Sequence, residues 1–195
     1  MIIWLASYPR SGNTLLRTII KHCFDIDSFV DEPVTVESEF RSRSELIGHR
    51  EHSEPWEAFY RRMTDADTPV LVKTHQLPRD SQPFIYVVRD GRSAIRSYRK
   101  LHRDYNGIDK PLGALILGDD AYGDWSTHFR SWNRREGVEG LVLKFDELVD
   151  PSDQVLEGIS KMVRIAGPRR PWENPVEKLA EFEPNFFNKK SINWS

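Results

Sequence analysis

The chain has 195 residues, about one domain's worth of core, and its 28 Lys and Arg against 30 Asp and Glu leave a net charge of −2. That balance excludes the basic excess of a protein that lives on nucleic-acid phosphates or an anionic membrane surface, so any anion it binds is met by a few local side chains. Hydrophobic residues (38%) and charged residues (30%) are in the proportions of a globular protein, and the one cysteine, Cys23, allows no internal disulfide, which fits a reducing, cytoplasmic setting.

Ile2 to Ala6 is an apolar run with no positive flank, too short for a signal peptide or a membrane span, and reads as a buried strand. After Tyr8-Pro9-Arg10-Ser11-Gly12-Asn13-Thr14, the residues Leu15, Leu16, Ile19, Ile20, Cys23 and Phe24 recur at helical spacing, so the segment reads strand, tight loop, helix. Asp31 to Asp67 is highly charged, with a short helix expected around Trp56–Met63. Val70–Val72 and Phe84–Val88 are β-branched runs bounded by Pro69, Pro78 and Pro83, as buried parallel strands are. A helix with Ala94, Ile95, Tyr98 and Leu101 on one face follows Arg89-Asp90-Gly91-Arg92, and 102–120 reads as an irregular excursion.

Tyr122, Trp125, Phe129 and Trp132 predict a helix over about 121–135, and Leu141–Phe145 a fourth strand. The next helix is expected to begin at Asp150 as N-cap with Pro151 in its first turn, to bury Val155, Leu156, Ile159, Met162, Val163 and Ala166, and to stop before Gly167. No repeat or linker divides the chain, so residues 1–195 read as a single α/β domain with a parallel sheet between helices and a ligand crevice at the carboxyl ends of the strands.

Three clusters sit at such strand ends. The Tyr8–Thr14 loop opens a helix, and backbone amides at a helix N-terminus suit a phosphate. The nucleoside-triphosphatase pattern G-x-x-x-x-G-K-[ST] is not met: only Gly12 is present, Asn13 stands in place of the lysine, and the cation lies upstream at Arg10, beside Ser11. In Lys73-Thr74-His75-Gln76-Leu77-Pro78, an imidazole that titrates near neutrality lies beside a cation, as a group transfer from an anionic donor requires. In the third cluster, Arg89 ends a strand and Ser97 lies eight residues on, so guanidinium and hydroxyl converge on one anion. The plain structural alternatives are a conformational turn, a packed histidine and a solvated basic helix face; the last fits Arg96, Arg99, Lys100 and Arg103. His49 and His52 lack further ligands for a metal and read as solvent-exposed. His128, between Trp125 and Trp132, reads as a histidine hydrogen-bonded in the core.

Tyr8–Leu16 resembles the 5′-phosphosulfate loop of sulfotransferases that use 3′-phosphoadenosine 5′-phosphosulfate (PAPS), commonly written YPKSGTTW. Lys73–Pro78 is similar to their KTHLP segment, Arg89 and Ser97 match their 3′-phosphate motif, and Gly123-x-Trp125-x-x-His128-x-x-x-Trp132 and Phe145-Asp146-Glu147-Leu148 resemble further stretches in the same order. The resemblance covers residues 2–194 and is to a short, bacterial-like form of the cytosolic-type domain, with a sheet like that of the P-loop nucleoside triphosphate hydrolases.

It implies sulfuryl transfer from PAPS to a hydroxyl or amine of an acceptor, leaving 3′-phosphoadenosine 5′-phosphate (PAP), without a metal. His75 is then the base, with Arg10 and Lys73 at the reacting end. Arg10, Ser11, Gly12, Asn13, Thr14, Leu15, Arg89, Ser97 and Phe145 hold the nucleotide, and Asn188, Lys189 and Lys190 stand in the 185–195 segment that closes over it. Arg10 replaces a lysine, Leu15 a tryptophan that stacks on adenine and Phe145 a tyrosine. The short chain implies trimmed acceptor-side segments and a more open pocket. The competing readings are a magnesium-dependent phosphotransferase and a non-catalytic nucleotide-binding relative. The acceptor is unspecified, no nucleic acid or membrane span is expected as a partner, and a monomer or weak homodimer is.

Overall fold

The computed structural model describes residues 1–31 and 41–175. Five parallel strands, β1 (Ile2–Ser7), β2 (Ser28–Val30), β3 (Val70–Thr74), β4 (Phe84–Val88) and β5 (Gly140–Lys144), form one sheet in the order β2-β3-β1-β4-β5. β1 is central and every residue in it is buried, which is why its sequence is apolar on both faces instead of alternating. Its register sets Leu5 opposite Lys73 of β3 and Ile85 of β4, bringing the carboxyl ends of the three strands together. The chain leaves β1 toward β2 and leaves β4 toward β5, so the sheet divides between β1 and β4, where a ligand crevice is expected.

Helices cover both faces. On one, α1 (Asn13–Ile19) runs into a π-helical turn at Ile20–Phe24 and packs with α7 (Phe145–Val149) and α8 (Asp153–Met162) on Ile3, Leu5, Leu71, Ile85 and Val87. On the other, α3 (Trp56–Thr64) and α6 (Trp125–Asn133) set Phe59, Met63 and Trp132 on Ile2, Trp4, Ala6 and Tyr86. There Trp4 donates its indole N–H to Asp80 at 2.9 Å, and the Tyr60 hydroxyl donates to the same carboxylate at 2.8 Å. At the carboxyl edge, α4 (Gly91–Asn106) and α5 (Leu112–Leu117) enclose Tyr8 with Ala94, Ile95, Tyr98 and Leu115. No helix of the described residues is long and apolar enough to cross a membrane.

Several boundaries differ from expectation for local reasons. α8 is capped by Ser152, whose hydroxyl accepts the Val155 N–H, so Asp150 and Pro151 precede the helix; it ends at Met162, well before Gly167. α6 begins at Trp125 because the Asp124 carboxylate takes the Thr127 N–H at 2.8 Å. Phe145 leaves the fourth strand and opens α7, whose first turn is tied by the Lys144 N–H donating to Glu147 at 2.8 Å. The 102–120 stretch is the end of α4 plus α5, not an irregular excursion. β2 and α2 (Arg41–Ile47) carry too few apolar residues to show as runs. His49 and His52 are half-buried rather than exposed: His49 lies 3.2 Å from Arg17, and His52 stacks on Phe59 with ring centroids 4.1 Å apart.

Candidate functional site

The β1–α1 loop turns on two residues with positive φ, Arg10 (64°) and Gly12 (107°), either side of buried Ser11. At Gly12 a Cβ would come within 2.6 Å of the Phe145 ring, so the position needs glycine for both its conformation and its space. The turn aims the first amides of α1 into the crevice, and no acidic residue in that helix's first turn opposes an anion there. The Ser11 hydroxyl is buried without a hydrogen-bond partner among the described residues, as a donor kept for a bound anion would be. Asn13 uses its side-chain N–H on the Leu5 carbonyl at 2.8 Å and on Ser7 at 3.4 Å; its side chain stitches α1 to β1, which leaves its backbone N–H as its donor for an anion. Thr14 and Leu15 are half-buried on the first turn, Leu15 against the α1 core.

Arg10 and Arg89 are both half-buried and are joined through the loop. Arg89 donates from Nη1 to the Arg10 carbonyl at 2.8 Å, and Arg10 donates from Nε to the Ser97 hydroxyl at 3.1 Å. The Ser97 hydroxyl, expected to share an anion with Arg89, here accepts from the other arginine, reached across the β1 loop. Phe145 lies under the Arg89 guanidinium, 4.4 Å from ring centroid to Cζ. It therefore braces a cation as well as filling the space beside Gly12. Asn188, Lys189 and Lys190 lie outside the described residues.

Beyond β3, the half-buried His75 is held with Nδ1 2.7 Å from the Ser7 carbonyl. A carbonyl only accepts, so Nδ1 carries the proton and Nε2 keeps its lone pair. Burial, the charge of Lys73 and, more weakly, those of His128 and Arg10 push the imidazole pKa well below its usual value, against the Ser7 hydrogen bond that raises it. A neutral imidazole with one bare nitrogen at a crevice edge can take a proton. Lys73, on the face of β3 that also carries core residue Leu71, sets a second cation beside it.

His128 is fully buried, and burial pushes its pKa down to about 4. Its Nε2 lies 2.9 Å from the His75 carbonyl and its Nδ1 3.0 Å from the Tyr86 hydroxyl. Hydrogen bonding in the core was legible for His128 from its aromatic neighbours, whereas its partner, the main chain of the candidate base, was not. Tyr122, whose ring meets His75 edge-on at 5.6 Å, was read only as a helix-face residue. Among the described residues no group of three or more His, Cys, Asp or Glu could hold a metal ion.

The family described as "Sulfotransferase domain" matches residues 2–170. Guinea pig (Cavia porcellus) sulfotransferase 1E1 is 21% identical over 198 residues, covering 90% of this chain and 61% of that protein. Mouse (Mus musculus) sulfotransferase 1B1 is 32% identical over 99 residues, or 42% of this chain and 32% of that protein. The structure of mouse sulfotransferase SULT7A1 complexed with PAP is similar at a TM-score of 0.58 and 18% identity, over 94% of this chain and 63% of that one. Retinol dehydratase in a complex with retinol and PAP is similar at 0.53 and 16%, over 98% and 67%. These structures share the fold, and the chain spans about three fifths of the length of the guinea pig relative.

Proposed function

The chain belongs to the sulfotransferase domain family, and from that premise we propose that it moves a sulfuryl group from PAPS to a hydroxyl or amine of an acceptor, with His75 as general base. The observation that carries the reading is the convergence of a Ser7-held imidazole with a bare Nε2, an anion loop containing a buried unpartnered hydroxyl, and two arginines at the carboxyl ends of β1 and β4. Bound there, PAPS supplies an activated sulfuryl group: its sulfur bonds to the acceptor as the bond to the 5′-phosphate oxygen breaks.

The protein's part is to position groups and to balance charge, as in a loose phosphoryl-type transfer. The amides of Gly12 to Thr14 and the Ser11 hydroxyl take the phosphosulfate end, with Arg10 and Lys73 supplying positive charge. Arg89 and Ser97 take the 3′-phosphate, and Leu15 and Phe145 flank the adenine. Asn188, Lys189 and Lys190 are the proposed closing segment. His75 Nε2 accepts the acceptor's proton, with Nδ1–H held by Ser7. Among acceptors, the neutral base suits a phenol, alcohol or amine. The compartment we propose is cytoplasmic, in keeping with a buried, unpaired Cys23 thiol.

The test is calorimetric titration with PAP against AMP, ADP and ATP, with and without magnesium, followed by transfer from PAPS across an acceptor panel. Magnesium-independent binding that needs the 3′-phosphate is expected, and His75→Ala should keep PAP affinity while losing about 10²–10⁴-fold in turnover. Magnesium-dependent ATP binding in place of PAP would overturn the reading in favour of a phosphotransferase. PAP binding with no transfer to any acceptor would point instead to a nucleotide-binding relative.

A further inference from the structure

We infer that His128 is a positioning residue for His75, acting on the base through its main-chain carbonyl; the inference rests on the reading of His75 as the base. His128 Nε2 lies 2.9 Å from the His75 carbonyl, which can only accept, so Nε2 bears the proton and Nδ1 is an acceptor. The Tyr86 hydroxyl, 3.0 Å from Nδ1, must therefore donate to it.

The chain of bonds thus runs from the Tyr86 hydroxyl to His128, and on to the His75 carbonyl. A second link, from the His75 Nδ1–H to the Ser7 carbonyl at 2.7 Å, ties the ring to the last residue of β1. One residue of the site is gripped at its ring by Ser7, where β1 enters the loop expected to hold the donor, and at its peptide by His128. Every proton in this circuit has a single assignment, and Tyr86 and His128 are both buried with 0% exposure, so water cannot replace either bond. The rings of Tyr8 and Tyr86 pack 5.6 and 5.7 Å from that of His128. Removing the His128 donor would leave the His75 carbonyl unpaired and loosen the His75 peptide, while Gln76 beyond it stays tied to the Thr74 hydroxyl and the Trp132 indole at 3.0 Å each. A base displaced by about 1 Å loses on the order of 10²-fold in rate even when binding is intact.

The experiment is nitrogen NMR of the histidine rings in the full chain without ligand, which needs no knowledge of the acceptor. Wild-type protein should show His75 as the Nδ1–H tautomer and His128 as the Nε2–H tautomer. In His128→Phe the His75 ring should pass to a broadened tautomer mixture, whereas His128→Gln, whose amide can donate to the same carbonyl, should keep the wild-type His75 signature. With an acceptor that supports transfer, His128→Phe should lower kcat about 10–100-fold with PAP affinity within about twofold, and His128→Gln should recover most of it. Unchanged His75 resonances in His128→Phe, an unchanged kcat, or a glutamine variant no better than phenylalanine would each overturn the proposal. If His128→Phe does not fold, Tyr86→Phe keeps the ring volume and frees His128 Nδ1; His75 broadening supports the circuit, and an unmoved His75 spectrum refutes it. Wild-type protein that transfers no sulfuryl group at all removes the functional reading, while the ring spectra still decide whether His128 positions His75.

Discussion

Arg10 sits in left-handed backbone at φ 64, a conformation that costs a non-glycine residue about 1–2 kcal/mol, and the surroundings hold it there. The Arg89 guanidinium clamps its carbonyl at 2.8 Å, and Ser97 fixes its side chain at 3.1 Å, so the loop's shape depends on the ends of β1 and β4 and on α4 at once. Two substitutions test that dependence. Gly12→Ala should destabilise the fold by about 1–3 kcal/mol, through φ 107 and a Cβ 2.6 Å from Phe145 Cδ2, and should shift the denaturant midpoint without changing the slope. An unmoved midpoint would mean that the Phe145 ring yields freely. Phe145→Ala removes the face under Arg89, so PAP should bind about two- to fivefold more weakly, the worth of an exposed cation–π contact. Equal affinity would assign Arg89's placement to the Arg10 carbonyl alone. The residue types of the site were legible because each follows a strand whose apolar run is unmistakable. The contacts among them were not: the step from Arg89 to Ser97 says that both lie near one helix end, but not that the hydroxyl is taken by a guanidinium eighty-odd positions earlier.

Helix and strand elements show the same division between pattern and context. β1, β3 and β4 were readable because a strand buried on both faces has no polar alternation to disguise it. β2 has only Ser28-Phe29-Val30, too short a run to stand out, and its place is set by pairing with β3 and by the buried Arg17, which donates to the Ser28 hydroxyl at 2.7 Å. α5 was hidden because Gly113 and Gly118 mimic a loop, yet Leu115 is fully buried and Gly118, at φ 81, ends the helix. The start of α8 was misread because Asp150 followed by proline is a strong capping signal, whereas the N–H groups that need an acceptor begin three residues later. The correction is measurable. Ser152→Ala should cost about 0.5–1 kcal/mol of stability, and Asp150→Ala, outside the helix, should stay within about 0.5 kcal/mol of wild type. The reverse order in a denaturant titration would restore the aspartate as the cap.

For the molecule as a whole, the fold places two neutral histidines side by side, His128 fully buried and His75 half-buried, and that arrangement makes stability depend on pH. His128 has its pKa pushed down to about 4, chiefly by burial, and His75 lies well below 6.5 for the same leading reason. In the unfolded chain both titrate near 6.5, so between pH 6.5 and 4 the unfolded state binds more protons than the native one. Their contribution is therefore complete above pH 6.5 and is lost as pH falls toward the native values, with a slope of about 1.4 kcal/mol per pH unit for each histidine. The helix-capping carboxylates Asp90 and Asp124 have pKa values below 3.8, lowered first by backbone N–H groups, so their contribution is present above 3.8 and falls away only in stronger acid. Two separate windows follow. Urea midpoints measured from pH 7.5 to 3 should drop through the histidine window first and through the carboxylate window second. His128→Gln should make the first drop about half as steep and leave the second in place. A midpoint that holds level from pH 6.5 to 4.5 would show that water reaches these rings, and with it that the circuit joining His75 to the anion loop is open to solvent.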